Sequence, residues 1–287
     1  MRIKKCSRLF HNCSKLVSDW YLSKRLRSCV CTQEQLSSET FQSWCFKIRD
    51  TMMRMHRKIW EWCFIAQALY EREMLKPGRR GLGFGVGQEP LVALFASCGS
   101  DILATDMREE EALKSGSDWV GTSQHARGIE DMNKRGICDP QEFRKHVSFR
   151  VVDMNHIPDD LRDFDFCWSS CAFDHLGTLE KGEEFIHNMM NCLRPGGVAV
   201  HTTEYNLSSN TTTVEHGDVV FFRKCDFEEI AARLRKNGHR IDLDFTLGNG
   251  EADRFVDKAP YRHNPHLRFQ YGEYVSTSFA LLIEKSS

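Results

Sequence analysis

The sequence predicts an α/β fold: a doubly wound, mostly parallel seven-stranded sheet with an antiparallel edge strand, preceded by N-terminal helices. Three observations carry this. From residue 80 onward, short apolar runs alternate with helical stretches, the pattern of βαβ units. The chain has 287 residues, 41% of them hydrophobic, enough to bury one large core. A glycine-rich turn, GLGFGVGQEP, joins the first apolar run to a helical stretch, the arrangement of a first βα turn in doubly wound sheets.

Residues 1–50 read as a basic leader and helical extension. Positions 1–32 hold Arg2, Lys4, Lys5, Arg8, Lys15, Lys24, Arg25 and Arg27 against Asp19 alone. With its scattered serines, the leader fits a mitochondrial transit segment, a helix in weak contact with a membrane surface, or a solvated tail. No run approaches the roughly 18 apolar residues that span a bilayer. The twelve cysteines are irregularly spaced and several lie in apolar runs, which fits free thiols in a reducing, cytoplasmic setting, with mitochondrial import left open by the leader. Cys6, Cys13, Cys29 and Cys31 lack paired CxxC knuckles, so no metal site is assigned there. Lys+Arg 39 against Asp+Glu 40 leaves a formal charge of −1, without the basic excess of a nucleic-acid-binding domain. Oligomeric state is not legible.

Residues 51–75 place Met52, Met55, Ile59, Trp62, Ala66 and Leu69 three or four apart, the period of an amphipathic helix. Lys76-Pro77-Gly78 stops it. The helix serves either as a lid over a ligand mouth or as a plain cap on the core. The domain proper then runs from 76 to 287. Its strands are RGLGF, DILATD, VSFRVVD, FDFCWSS, GGVAVHTT, RIDLDFTL and YVSTSFALLIE, with helices over 90–98, 179–193 and 226–237. The last two strands have a polar stretch and no helix between them, so they are expected to pair antiparallel at the sheet edge. Residues 107–146 exceed a simple βα connection and carry an insertion.

In GRRGLGFGVGQEPL (78–91) the backbone is bare enough for a ligand to approach closely, and Pro90 is preorganised for a helix start. The dinucleotide fingerprint GxGxxG fails in each register, because Val86 or Gln88 stands where the third glycine belongs. A pyrophosphate-binding site is therefore disfavoured. Asp106 ends the second strand, where a carboxylate can take both hydroxyls of a ribose. Asp153-Met154 ends the third, offering an acid for an exocyclic amine and an apolar side chain for an adenine face. Both positions fall at the carboxyl edge, where open α/β sheets bind ligands.

Over residues 76–287 this series resembles the class I S-adenosylmethionine-dependent methyltransferases, whose fold is Rossmann-like. KPGRRGLGFGVGQEPL is similar to that family's first motif, ILATD to its second, RVVDM to its adenine-strand motif, and FDFCWSSCAFDHLG and LRPGGVAVHTTEYN to its fourth and fifth strands. The resemblance implies S-adenosylmethionine as cofactor, held by Gly83, Gly85, Gly87, Glu89, Asp106, Met107, Asp153, Met154 and Ser169. The family carries an acid in the first strand, where this chain has Gly81 or Gly83. The preferred register makes Gly85 and Gly87 the motif glycines and lets Glu89, 17 residues before Asp106, replace part of the missing acid.

The implied reaction displaces the sulfonium methyl in line, and alignment can supply as much as ~7–11 kcal/mol. For a hydroxyl nucleophile a general base adds roughly 10²- to 10⁴-fold. His175, His201 and Glu204 are the expected catalytic residues; each histidine reads equally as a hydrogen-bonded structural one. Substrate contacts are expected from Tyr205 and Asn206 beyond the fifth strand, from Trp119, Gln124 and His125 in the insertion, and from Tyr261, His263 and His266 in the last loop. No HxxxH or HxH spacing assigns a metal. The expected activity is O-methylation of a small polar metabolite, sugar or glycan. A nucleic-acid methyltransferase is the first alternative, disfavoured because Ser169-Ser170-Cys171-Ala172 stands where [DN]PP[YFW] would lie. A catalytically degenerate binding protein is the second.

Overall fold

The computed structural model describes residues 25–114, 120–122 and 124–287. Its ten strands are β1 (Ser28–Val30), β2 (Arg80–Gly83), β3 (Asp101–Asp106), β4 (Val147–Val151), β5 (Phe164–Ser170), β6 (Leu193–Asn206), β7 (Leu243–Asp244), β8 (Val256–Asp257), β9 (Arg268–Tyr271) and β10 (Tyr274–Glu284). They form one sheet in the order β4-β3-β2-β5-β6-β10-β1-β7, with β9 on β10 and β8 on β9. Strands β4, β3, β2, β5 and β6 are mutually parallel, and β10 runs antiparallel to β6. The expected α/β, mostly parallel architecture is present, N-terminal helices included.

Three expectations are corrected. The seven strands become ten, because β1, β8 and β9 are two to four residues long, too short for a period to register in the sequence. The two C-terminal strands meet only at one antiparallel bridge, Arg240 to Glu284; beyond it Ser28–Val30 inserts between them, antiparallel to β10 and parallel to β7, so β10 is not at the sheet edge. Part of the basic leader is therefore sheet, with Cys29 and Val30 buried; residues 1–24 lie outside the described set.

The sheet's two-residue period sorts side chains into two cores. Phe166, Trp168, Val198 and Val200 face the helices Glu39–Lys47, Arg57–Glu71 and Leu91–Ser97, while Cys167, Ala199, Phe279 and Leu281 face Leu179–Met189 and Lys224–Lys236. The helix expected over 51–75 is Arg57–Glu71, capped by the His56 side chain accepting from the Lys58 N–H. It buries Ile59, Trp60, Phe64, Ile65 and Leu69, each worth about 1.5–3 kcal/mol. Most of its circumference is inside the protein, while Lys58 and Trp62 border a cavity at the strand ends.

The two glycines in the place of the family acid have a packing cause. A Cβ on Gly81 would lie 2.3 Å from the Phe166 ring, and one on Gly83 would lie 2.5 Å from both Trp168 and Val86. Aromatic rings of β5 fill the volume that an acid would need.

Candidate functional site

A cavity of about 570 Å³ opens at the carboxyl edge, lined by the turns after β2, β3, β4 and β5 and by the start of the Arg57–Glu71 helix. Its size suits a ligand of cofactor dimensions. Gly85 and Gly87 have φ of +55° and +51°, and a Cβ on Gly87 would meet the Gln124 carbonyl oxygen at 2.1 Å. Only glycine fits both the conformation and the space.

Asp106 ties this turn to the insertion. Its Oδ1 accepts from the Met107 N–H (2.8 Å), and its Oδ2 from the N–H groups of Gly87 (3.1 Å) and Ala126 (3.0 Å). Burial pushes its carboxyl up, against these donors. Three of about four lone-pair positions are thus taken, so the carboxylate has room for one further donor and not for both hydroxyls of a ribose. His125 Nε2 lies 2.9 Å from the Met107 carbonyl oxygen and its side chain is buried, while Gln124 is exposed on the cavity rim. Asp153 is turned toward its own loop: it accepts from the Asn155 N–H and lies 2.7 Å from His156 Nδ1. Met154 borders the cavity beside it.

The opposite wall was not legible in sequence. Glu61, fully buried in the Arg57–Glu71 helix, meets Lys58 (3.1 Å) and Arg57 (3.2 Å) and accepts from the hydroxyls of Ser170, Thr202 and Ser278 and from the Cys171 thiol. Burial alone would raise its carboxyl, yet Lys58, Arg57 and these donors hold it down at about 2. Arg57 also holds Glu204 at 2.6 Å. Lys58 reaches Glu89 at 3.6 Å and the Ser170 carbonyl at 3.2 Å. Burial pushes Glu89 up to about 7, with Lys58 opposing. Trp62 borders the same end, with the Arg135 guanidinium 5.1 Å from its ring, a cation–π distance. The one sequence signal was the spacing of Arg57, Lys58 and Glu61, which puts both cations within a turn of the acid.

Of the expected residues, the cavity gathers Gly85, Gly87, Glu89, Asp106, Met107, Gln124, His125, Asp153, Met154 and His175. Others lie elsewhere. Ser169 points into the core, its Oγ 2.7 Å from His201 Nδ1, and Ser170 takes its place on the wall. His201 is 0% exposed, edge-on to Phe173 and Phe185, and burial lowers it to about 3; it is a neutral core histidine and not a base. Glu204 is buried between Arg57 and Ser276. The Tyr205 ring packs on Phe227, Phe245 and Phe279, and Asn206 ties its own loop by bonding Thr212, Thr213, Ser208 and Ser209. Tyr261 donates to the Gln270 carbonyl, His266 pairs with Asp257, and exposed His263 is outside the cavity lining. Tyr205, Asn206, Tyr261 and His266 are therefore corrected from substrate contacts to structural groups, because their side chains are engaged in the core or within their own loops. Gly83 is a packing glycine, and Trp119 lies outside the described residues.

Residues 82–201 match the family model for a methyltransferase domain. That span runs from β2 to β6 and contains the glycine turn, Asp106, Asp153 and His175. The domain belongs to the class I S-adenosylmethionine-dependent methyltransferase family. Its cofactor is S-adenosylmethionine, and its reaction is methyl transfer from it. None of the curated proteins matches the chain in sequence. Among solved structures the methyltransferase domain is similar to an S-adenosylmethionine-dependent methyltransferase from Clostridium acetobutylicum (12% identity, 81% of this chain and 92% of that one, TM-score 0.43). It is similar too to a putative sarcosine dimethylglycine methyltransferase from Galdieria sulphuraria (12%, 87% and 99%, 0.45) and to TehB from Haemophilus influenzae (14%, 76% and 61%, 0.45). No helix among the described residues of this methyltransferase is long and apolar enough to cross a membrane.

Proposed function

We propose that this methyltransferase acts on a hydroxyl of a small polar metabolite or sugar, in the cavity bounded by the strand ends and the Arg57–Glu71 helix. The single observation behind this reading is one continuous lining that runs from Asp153-Met154 past Asp106-Met107 and the Gly85–Gly87 turn to Glu89, Lys58 and His175. The bound cofactor supplies a methyl already activated by its sulfonium. Met154 and Asp153 bind the adenine end. Asp106 takes one ribose hydroxyl at Oδ1. Gly85 and Gly87 let the backbone approach the chain of the methionine, and the Glu89–Lys58 pair receives its ammonium and carboxylate. Glu89 thereby answers for the acid that Trp168 and Val86 exclude from β2.

On the acceptor side, His175 Nδ1 is engaged by the Asp218 carbonyl oxygen. His175 borders the cavity, and its imidazole is the group that receives the hydroxyl's hydrogen. Trp62 and Arg135 present an aromatic face and a planar cation to a polar acceptor, and the balanced net charge favours no polyanionic one.

Calorimetric titration with S-adenosylmethionine and S-adenosylhomocysteine, followed by methyl-transfer assays on sugars, polyols and amines, tests the proposal. Both cofactor forms should bind, Asp106→Ala should weaken both by roughly 10-fold or more through loss of a buried acceptor, and hydroxyl compounds alone should accept the methyl. Transfer to amines with none to hydroxyls would sink the acceptor assignment.

A further inference from the structure

Behind the wall formed by Cys171 and His175, three donors converge that the methyl-transfer reading leaves unused. The donor atoms of Cys171, Asp174 and Glu204 all lie within 4.8 Å of one another. Asp174 is 0% exposed, and neither of its carboxylate oxygens has a hydrogen-bond partner. His175 Nε2 stands 3.6 Å from Oδ2, beyond hydrogen-bond length. A carboxylate so enclosed is costly until a counter-charge reaches it.

Size and charge identify the occupant. Asp174 and Glu204 are absent from the cavity lining, so an organic ligand does not reach them and the occupant has the dimensions of an ion. Around the pocket, the four carboxyl groups of Glu61, Glu89, Asp174 and Glu204 face three permanent cations among the described residues, Arg57, Lys58 and, on the Glu89 side, Arg135, so the acids outnumber the cations. Glu204 keeps coordinating capacity, since Oε1 faces Arg57 and Oε2 accepts one bond from Ser276.

We propose that Cys171, Asp174 and Glu204 bind a divalent transition-metal ion of the zinc type, through one thiolate and two carboxylates. A sulfur donor among oxygens selects such an ion over magnesium or calcium. Binding converts the Cys171 thiol to a thiolate, and its proton leaves to solvent. Donors of a tetrahedral site lie about 3.5 Å apart, so small side-chain rotations close the set. The ion pins the turn after β5 to β6 and thereby fixes the wall that carries His175. This inference stands apart from the choice of methyl acceptor.

The test is titration of the full chain, stripped with a chelator, with cobalt(II) as spectroscopic probe. One equivalent should bind with a sulfur-to-cobalt charge-transfer band. The band should vanish in Cys171→Ser and persist in Cys225→Ser, which removes a cysteine outside the proposed ligand set. Asp174→Asn, which preserves shape, should weaken binding by at least the roughly 10- to 100-fold that changes outside the ligand shell cost. Far-ultraviolet circular dichroism checks that each variant is folded, and if Cys171→Ser is not, Asp174→Asn decides. Absence of stoichiometric binding, a band that survives Cys171→Ser, or unchanged affinity in Asp174→Asn overturns the proposal.

Discussion

The two walls of the cavity are built on different principles. The strand-end wall takes Gly85, Gly87, Asp106, Asp153 and Met154 from the turns that follow β2, β3 and β4, and its bonds run largely to backbone N–H groups. The helix wall, with the buried groups behind it, joins Arg57, Lys58, Glu61, Glu89, Ser170, Glu204 and Ser278 by side chains across up to 221 residues of sequence. Loss of one group on the first wall leaves the backbone in place. On the second, each group is the counter-charge or the hydrogen-bond partner of another, so removal of one exposes its neighbours.

That contrast is broken or sharpened most forcefully at Glu61. Glu61→Ala removes the carboxylate that Arg57 and Lys58 share and leaves Ser170, Thr202 and Ser278 without their acceptor. A broken buried pair costs about 3–5 kcal/mol, whereas Asp153→Ala, at a half-exposed carboxylate in its own loop, should stay within roughly 0.5–1 kcal/mol. Urea denaturation of the two variants measures both. Equal losses would erase the distinction between the walls.

A histidine beneath the cavity sharpens the comparison next. His201 has a folded pKa of about 3 against an ordinary 6.5 because burial disfavours its charged form. The unfolded chain therefore binds the extra proton, and the stability from a neutral His201 is fully present above about 6.5 and is lost as pH falls toward about 3. Between pH 6.5 and 4 the loss should reach the order of 3 kcal/mol, and His201→Gln should remove that slope. Denaturation midpoints across this range check it. If His201→Gln instead abolished methyl transfer while leaving the pH slope unchanged, the core assignment of His201 would be wrong.

The same contrast explains how far the sequence could be read. Apolar runs alternating with helices gave the parallel sheet, and the turns after β2, β3 and β4 gave the cofactor side, because in such a fold position along the chain sets position at the strand ends. Ser28–Val30 was not legible: a three-residue strand has no period of its own and is held by partners more than 200 residues away. Tyr205 and Asn206 misled because leaving the strand at its active edge does not determine the direction of a side chain; Phe227, Phe245 and Phe279 draw the Tyr205 ring into the core. Gly83 looked like a missing acid, and the cause lay in Trp168, 85 residues on, whose ring occupies the space. Glu61 sat unremarked in an apolar helix because a buried acid is explained only by the cations and hydroxyls that meet it.

The smallest expected effect falls where the two walls meet, at Glu89 and Lys58. If this pair receives the charged head of the methionine, Glu89→Gln removes the partner of the ammonium and leaves the adenosine end untouched. Affinity for S-adenosylhomocysteine should then fall roughly tenfold, the equivalent of one charge-assisted hydrogen bond of about 1.4 kcal/mol. Affinity for methylthioadenosine, which lacks the amino-acid head, should stay the same. Lys58→Ala should reproduce that selectivity and also destabilise the fold, because Lys58 is a counter-charge of Glu61 as well. Calorimetry with the two ligands separates these cases. Equal weakening of both ligands by Glu89→Gln would mean that Glu89 shapes the glycine turn, leaving the head of the cofactor to other groups.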